Sequence, residues 1–92
     1  MTKYILGVDY RQLPMTVACI RVAGQTKQLA LRRAKQLGTV LTERLPDDAY
    51  LSIPREGERA GELFTYEVRV SVETCLDEAK AVISELMLRG SV

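Results

Sequence analysis

The 92-residue chain has no histidine, no tryptophan and only two cysteines. Without histidine it lacks the commonest general base and metal ligand, so Ser–His and Cys–His catalytic sites are excluded within one chain. Cys19 and Cys75 form no Cys-x-x-Cys pair of the kind that binds zinc, and we expect both thiols to be reduced. No Gly-x-Gly-x-x-Gly or Gly-Lys-Thr/Ser phosphate loop is present. We therefore predict that the protein is not an enzyme and uses no cofactor, metal or small-molecule substrate.

Long hydrophobic runs are also missing. No stretch approaches the roughly 18–20 apolar residues that cross a membrane, and the opening MTKYILGVDY lacks the apolar core of a signal peptide. We therefore expect a cytoplasmic protein. Hydrophobic residues make up 47% of the chain and charged residues 27%, which is typical of a soluble globular protein. This length predicts one domain, residues 1–92.

Hydrophobic alternation predicts four strands, over residues 3–9, 15–23, 49–53 and 64–73. The last is the clearest, because every second residue of FTYEVRVSVE is apolar. Pro14 and its neighbours predict a turn between the first two strands. The segment REGERAG, residues 55–61, is polar and bounded by glycine, so we predict a loop there.

Helical periodicity predicts two helices. Thr26 is suited to cap the first, which ends either at Gly38 or at Leu45 before Pro46; we favour the longer helix because the apolar spacing continues past Gly38. Its apolar stripe consists of Ala30, Ala34, Leu37, Leu41 and Leu45.

The second helix is predicted to start at Thr74, which together with Asp77 three residues later resembles a capping box, and to end at Gly90. Glu85 and Arg89 within it have the spacing of an ion pair. The element order, ββαββα, predicts an α+β fold of two layers. In this fold an antiparallel four-stranded sheet carries both helices on one face.

Three aspartates resemble metal ligands. The opening YILGVDY resembles the first strand of ribonuclease-H-like nucleases, in which an aspartate at the strand end holds magnesium, here Asp9. That family places glycine or proline next, whereas this chain has Tyr10. That family also needs further carboxylates as metal ligands, and here the candidates are the adjacent Asp47 and Asp48. We interpret all three aspartates as turn residues.

Charge is divided unevenly along the chain. Residues 1–45 carry a net charge of +6 and residues 46–92 a net charge of −5. Such asymmetry indicates contact with nucleic acid or with a charged protein surface.

The polar side of the first helix contains no acid before Glu43, although mixed charges are usual on a solvated helix face. Basic side chains neutralise phosphates, and amides bind bases or backbone. The alternative is an ordinary solvated surface. The predicted partner-binding or nucleic-acid-binding residues are Gln28, Arg32, Arg33, Lys35 and Gln36.

In size, strand–strand–helix plan, lack of catalytic residues and divided charge, the chain resembles the small phage-encoded anti-CRISPR proteins that act on multi-subunit complexes. The resemblance covers the outline of the chain and no motif, so it transfers no residue. It implies a stoichiometric inhibitor that docks on a host nucleoprotein complex, such as CRISPR effector subunits with their RNA or DNA. The alternatives are a small nucleic-acid-binding regulator and an accessory subunit that forms a homodimer.

Overall fold

Two helices pack on one face of an antiparallel sheet, as the periodicity of the sequence predicts. The computed structural model describes residues 3–12 and 16–92. Along the chain the elements are β1 (Ile5–Gln12), β2 (Thr16–Gly24), α1 (Lys27–Arg44), β3 (Ala49–Leu51), β4 (Arg55–Glu56), β5 (Phe64–Val72) and α2 (Leu76–Arg89). The α+β class and the order of the predicted elements are confirmed.

The sheet has the order β1-β2-β5-β3, and β4 pairs with β5 next to β3. The short strand β4 lies in the segment predicted as a loop. It forms because Arg55 and Glu56 continue the line of β3 along the same edge of β5. Between the two short strands the ladder is irregular, because the three residues 52–54 lie opposite only two residues of β5, 68 and 69. Pro54, which has no N–H to donate, lies in this irregular stretch.

Strand β1 is longer than predicted and extends to Gln12. Asp9 therefore lies within a strand, opposite Cys19, and its interpretation as a turn residue is wrong. Tyr10 continues the alternation, with the Lys80 ammonium 5.1 Å from its ring centroid. The remainder of the predicted turn, residues 13–15 with Pro14, lies outside the described residues.

Helix α1 begins at the predicted cap, where Thr26 Oγ1 accepts a hydrogen bond of 3.1 Å from the Leu29 N–H. It continues through Gly38 and ends at Arg44. Leu45 then has an extended conformation, with ψ of 154°, because Pro46 disfavours the helical conformation for the residue before it. At the other end of the β2–α1 connection, Gly24 lies directly against the backbone of Ala30.

Helix α2 is capped differently from the prediction. Cys75 occupies the N-cap position, and no side chain of the helix forms a cap hydrogen bond. Asp48, in the turn before β3, instead accepts the Thr74 and Cys75 N–H groups at 2.8 and 3.2 Å. Gly90 ends the helix in the left-handed conformation, with φ of 74°, as predicted.

The core lies between the helices and the facing side of β1, β2 and β5. The α1 residues Ala30, Ala34, Leu37 and Leu41 are buried there, as their spacing predicts. Helix α2 contributes a second buried stripe: Ala79, Ile83 and Leu86. No helix in the described part of the chain is long and apolar enough to cross a membrane.

Candidate docking face on helix α1

Four of the five predicted binding residues lie together on the outer side of α1. Gln28, Arg32, Lys35 and Gln36 are all exposed. With Leu31 and Thr39 they line a shallow depression along the helix. From residue 28 to residue 39 the helix rises by about 16 Å, which gives the length of this surface. We call these four exposed residues the docking face.

The other cations of α1 are engaged within the fold. The Lys27 ammonium lies 2.9 Å from the Glu56 carboxylate, and this hydrogen bond raises the pKa of Lys27. Arg44 forms an ion pair with Glu85 of α2, which lowers the pKa of that carboxyl group. Glu85 thus has its ion-pair partner on the other helix, and the predicted partner Arg89 contributes only a smaller electrostatic lowering of the Glu85 pKa. The ion pair with Glu56 also explains why a lysine is tolerated in the first turn of the helix, where the dipole disfavours a cation.

Arg33, the fifth predicted residue, lies at the edge of α1 and turns toward the sheet. Its Nη1 donates a 3.0 Å hydrogen bond to the carbonyl oxygen of Ala23, and its guanidinium carbon lies 4.4 Å from the centroid of the Tyr4 ring. The hydroxyl of Tyr4 in turn accepts the Val92 N–H at 3.0 Å. Arg33 therefore connects α1 with the end of β2 and with the segment before β1.

The docking face consequently contains two cations, Arg32 and Lys35, with an amide on either side. Within the described residues the two cations form no ion pair and their side chains no hydrogen bond. A planar guanidinium binds carboxylate or phosphate with two parallel hydrogen bonds, whereas an ammonium acts as a point charge. Gln28 and Gln36 add both donors and acceptors. Chemically, this surface is suited to an anionic partner.

The open face of the sheet is a second charged surface, and its residues Arg11 and Arg21 were not predicted from the sequence. Arg11 and Arg21 are exposed there, opposite Val17 and Glu67 respectively. The sequence signal that could have identified the two arginines is their alternation with Tyr10 in β1 and with Ile20 in β2. Beside them Arg69 donates to Glu67 at 2.5 Å, which raises the pKa of Arg69. This face therefore carries charges of both signs.

The carboxylates that resembled a metal site are not brought together. Asp9 lies on β1, whereas Asp47 and Asp48 lie in the turn before β3 at the opposite edge of the sheet. Among residues 3–12 and 16–92 no group of three or more His, Cys, Asp or Glu is arranged to hold a metal. Cys19 and Cys75 are free thiols, as expected, and burial raises the pKa of Cys19.

Comparisons with protein-family models, with curated proteins and with solved structures gave no significant match.

Proposed function

We propose that this chain is a non-catalytic binding protein that docks through α1 on an anionic surface of a nucleoprotein complex. The observation that supports this proposal is that the cations of α1 fall into two groups, those with a partner in the fold and those without one in the described structure. Lys27, Arg33 and Arg44 have partners within the fold, whereas Arg32 and Lys35 point to solvent without one in the described structure. Two unpaired cations flanked by amides form a surface that lacks the mixed charge usual on a solvated helix.

The remainder of the charge supports a partner with both signs. Acidic side chains of the second half are exposed around the start of α2 and in the segment between β4 and β5: Glu58, Glu62, Glu73, Asp77 and Glu78. A nucleoprotein presents phosphates together with the basic protein surfaces that bind them. Complementary charge on such surfaces increases the association rate and selects the partner.

The resemblance to anti-CRISPR proteins gives the finer form of the proposal. The chain would be a phage-encoded, cytoplasmic, stoichiometric inhibitor that occupies a site on CRISPR effector subunits or on their RNA or DNA. Such a role needs no catalytic residue, since inhibition follows from occupying the site.

A double charge reversal tests the docking face. In Arg32→Glu/Lys35→Glu the two cations become anions, so affinity for the captured complex should fall by about tenfold or more, given the usual cost of like charges at an interface. Arg55→Glu/Arg89→Glu makes the same change in net charge at exposed positions elsewhere and is the matched control. Arg33 is left intact because it contributes to the fold. Equal affinity of both double variants would assign the α1 surface to ordinary solvation.

Capture from host lysate, with and without nuclease, separates the proposal from its alternatives. Retention of a defined protein complex after nuclease treatment supports docking on a nucleoprotein. Recovery of nucleic acid alone, with an affinity that falls by about one power of salt concentration per phosphate contacted, identifies a direct nucleic-acid binder instead. An accessory subunit that forms a homodimer would capture neither a protein complex nor nucleic acid.

A further inference from the structure

The two edges of the sheet differ in construction. At one edge β3 and β4 are only three and two residues long, and the irregular stretch with Pro54 separates them. Short strands, bulges and proline are the devices by which proteins prevent edge strands from pairing with other chains. At the other edge β1 runs in continuous register with β2 from Gly7 to Gln12. Within the described structure no strand covers its outer side.

The side chains of β1 carry a self-complementary pattern of charge. Asp9 lies opposite Cys19 and Arg11 opposite Val17, so the two charges share the open face of the sheet. Both are exposed, and neither forms an ion pair with the described residues. Tyr10 between them projects to the helix side. One strand thus presents an anion and a cation two residues apart at a free edge.

We propose that β1 pairs antiparallel with β1 of a second copy of this chain, about a two-fold axis that passes beside Tyr10. In this register Asp9 of each copy lies directly opposite Arg11 of the other. Directly opposed residues have Cβ atoms about 5 Å apart on the same face, so two equivalent carboxylate–guanidinium pairs form. The free backbone groups of the edge are satisfied by the same pairing.

The charges select this register over its neighbours. An axis beside Asp9 would place Asp9 opposite its own copy, and an axis beside Arg11 would do the same for Arg11. Like charges directly opposite each other destabilise a strand pair. The irregularity in β1 lies between Ile5 and Gly7, ahead of the paired segment 8–12. It therefore leaves this pairing intact.

The pairing also determines how the helix layers of the two copies meet. A two-fold axis perpendicular to the sheet keeps the helices of both copies on one face. In α2, Glu85 faces α1 through its ion pair with Arg44, whereas Lys80 faces the edge through the Tyr10 ring. The two α2 helices would therefore become neighbours across the axis. The docking face of α1 lies over β2 and β5, away from this edge, so the inference does not rest on the proposed function.

Sedimentation equilibrium over a range of concentrations tests the proposal, with a monomer–dimer equilibrium expected for the wild type. Asp9→Arg and Arg11→Asp each make both cross-strand pairs repulsive, so each should weaken dimerisation by about tenfold or more. The combined variant Asp9→Arg/Arg11→Asp restores opposite charges and should return the dissociation constant to within about threefold of wild type. Asp47→Arg and Arg55→Asp make the same charge changes at the opposite edge and should leave dimerisation unchanged.

The proposal is overturned if the wild type stays monomeric up to about 1 mM, a concentration at which a binding free energy of about 4 kcal/mol would be detected. The proposal is also overturned if the single variants dimerise like the wild type, or if the combined variant does not recover the wild-type dissociation constant. Hydrogen exchange on the unmodified chain adds an independent measurement, because outward-facing amides of residues 8–12 should exchange more slowly as concentration increases. Exchange in this segment that does not depend on concentration also overturns the pairing. Circular dichroism establishes that each variant is folded.

Discussion

The Asp48 carboxylate holds the start of helix α2 through Thr74, a residue 26 positions further along the chain. One carboxylate oxygen, Oδ2, accepts both the Thr74 N–H and the Thr74 hydroxyl, at 2.8 and 2.6 Å. It also accepts the N–H of Cys75, the N-cap residue. An acidic side chain from a distant turn thereby fixes the two residues that precede the helix, and its negative charge lies near the positive end of the helix dipole.

Removal of this carboxylate should destabilise the fold. Asp48→Ala leaves the Thr74 and Cys75 donors without their acceptor, so the melting temperature should fall. Asp47→Ala is the matched control, because Asp47 is exposed in the same turn and forms no hydrogen bond with the described residues. Thermal unfolding followed by circular dichroism measures both. Equal melting temperatures for the two variants would show that the Asp48 hydrogen bonds contribute nothing to stability.

The same carboxylate should make stability depend on pH in the acid range. Hydrogen bonds from Thr74 lower the pKa of Asp48 from 3.8 to about 2. The stabilisation is therefore fully present above the unfolded-state value and is lost as the pH falls through about 2. The melting temperature of the wild type should exceed that of Asp48→Asn near neutral pH, and the gap should narrow between about pH 4 and pH 2. A gap that stays constant across this range would contradict the assigned pKa.

Arg32 and Arg33 are adjacent but should respond differently to truncation. Arg33→Ala removes the hydrogen bond to the Ala23 carbonyl and the cation–π contact with Tyr4. We expect the free energy of unfolding to fall by about 1–2 kcal/mol. Arg32→Ala removes an exposed side chain and should change it by less than about 0.5 kcal/mol. Chemical denaturation of both variants measures the difference, and a larger loss for Arg32→Ala would contradict these assignments.

Two glycines next to or within α1 should respond to alanine with opposite signs. A Cβ atom at Gly24 would lie 2.5 Å from the backbone nitrogen of Ala30, and backbone cannot move aside as a flexible side chain can. Gly24→Ala should therefore cost about 2–3 kcal/mol. A Cβ at Gly38 would meet nothing within 4 Å. Because alanine is the better helix former, Gly38→Ala should stabilise by about 0.5–1 kcal/mol. Denaturant unfolding measures both changes, and destabilisation by Gly38→Ala would contradict the open space there.

The elements that sequence analysis predicted are those whose signals are local. Val68, Val70 and Val72 alternate with polar residues, and Leu37 and Leu41 follow the helical period, so pattern alone identifies β5 and α1. Strand β4 has no such signal. It is two residues long and forms because β5 offers it a partner.

The features that sequence analysis missed depend on contacts between distant segments. Helical geometry places Arg33 at the edge of α1 but does not reveal Tyr4 and the Ala23 carbonyl beside it. The contact of Asp48 with Thr74 and Cys75 was missed because Thr74 and Asp77 offered a plausible local cap. For the docking face, the sequence identified the residues, whereas the structure separates the cations that have partners in the fold from those that have none among residues 3–12 and 16–92.

Strand β5 lies in the middle of the sheet, between β2 on one side and β3 and β4 on the other. In the chain, however, it comes after β1, β2, α1, β3 and β4. While the protein is being synthesised, the facing apolar sides of β2 and α1, with Ile20 and Leu37, have no central strand to cover them. Closure of the core must await the emergence of Phe64–Val72 from the ribosome. Non-local strand pairing of this kind is slow, so the nascent chain passes through a stage in which its apolar surface is open to chaperones.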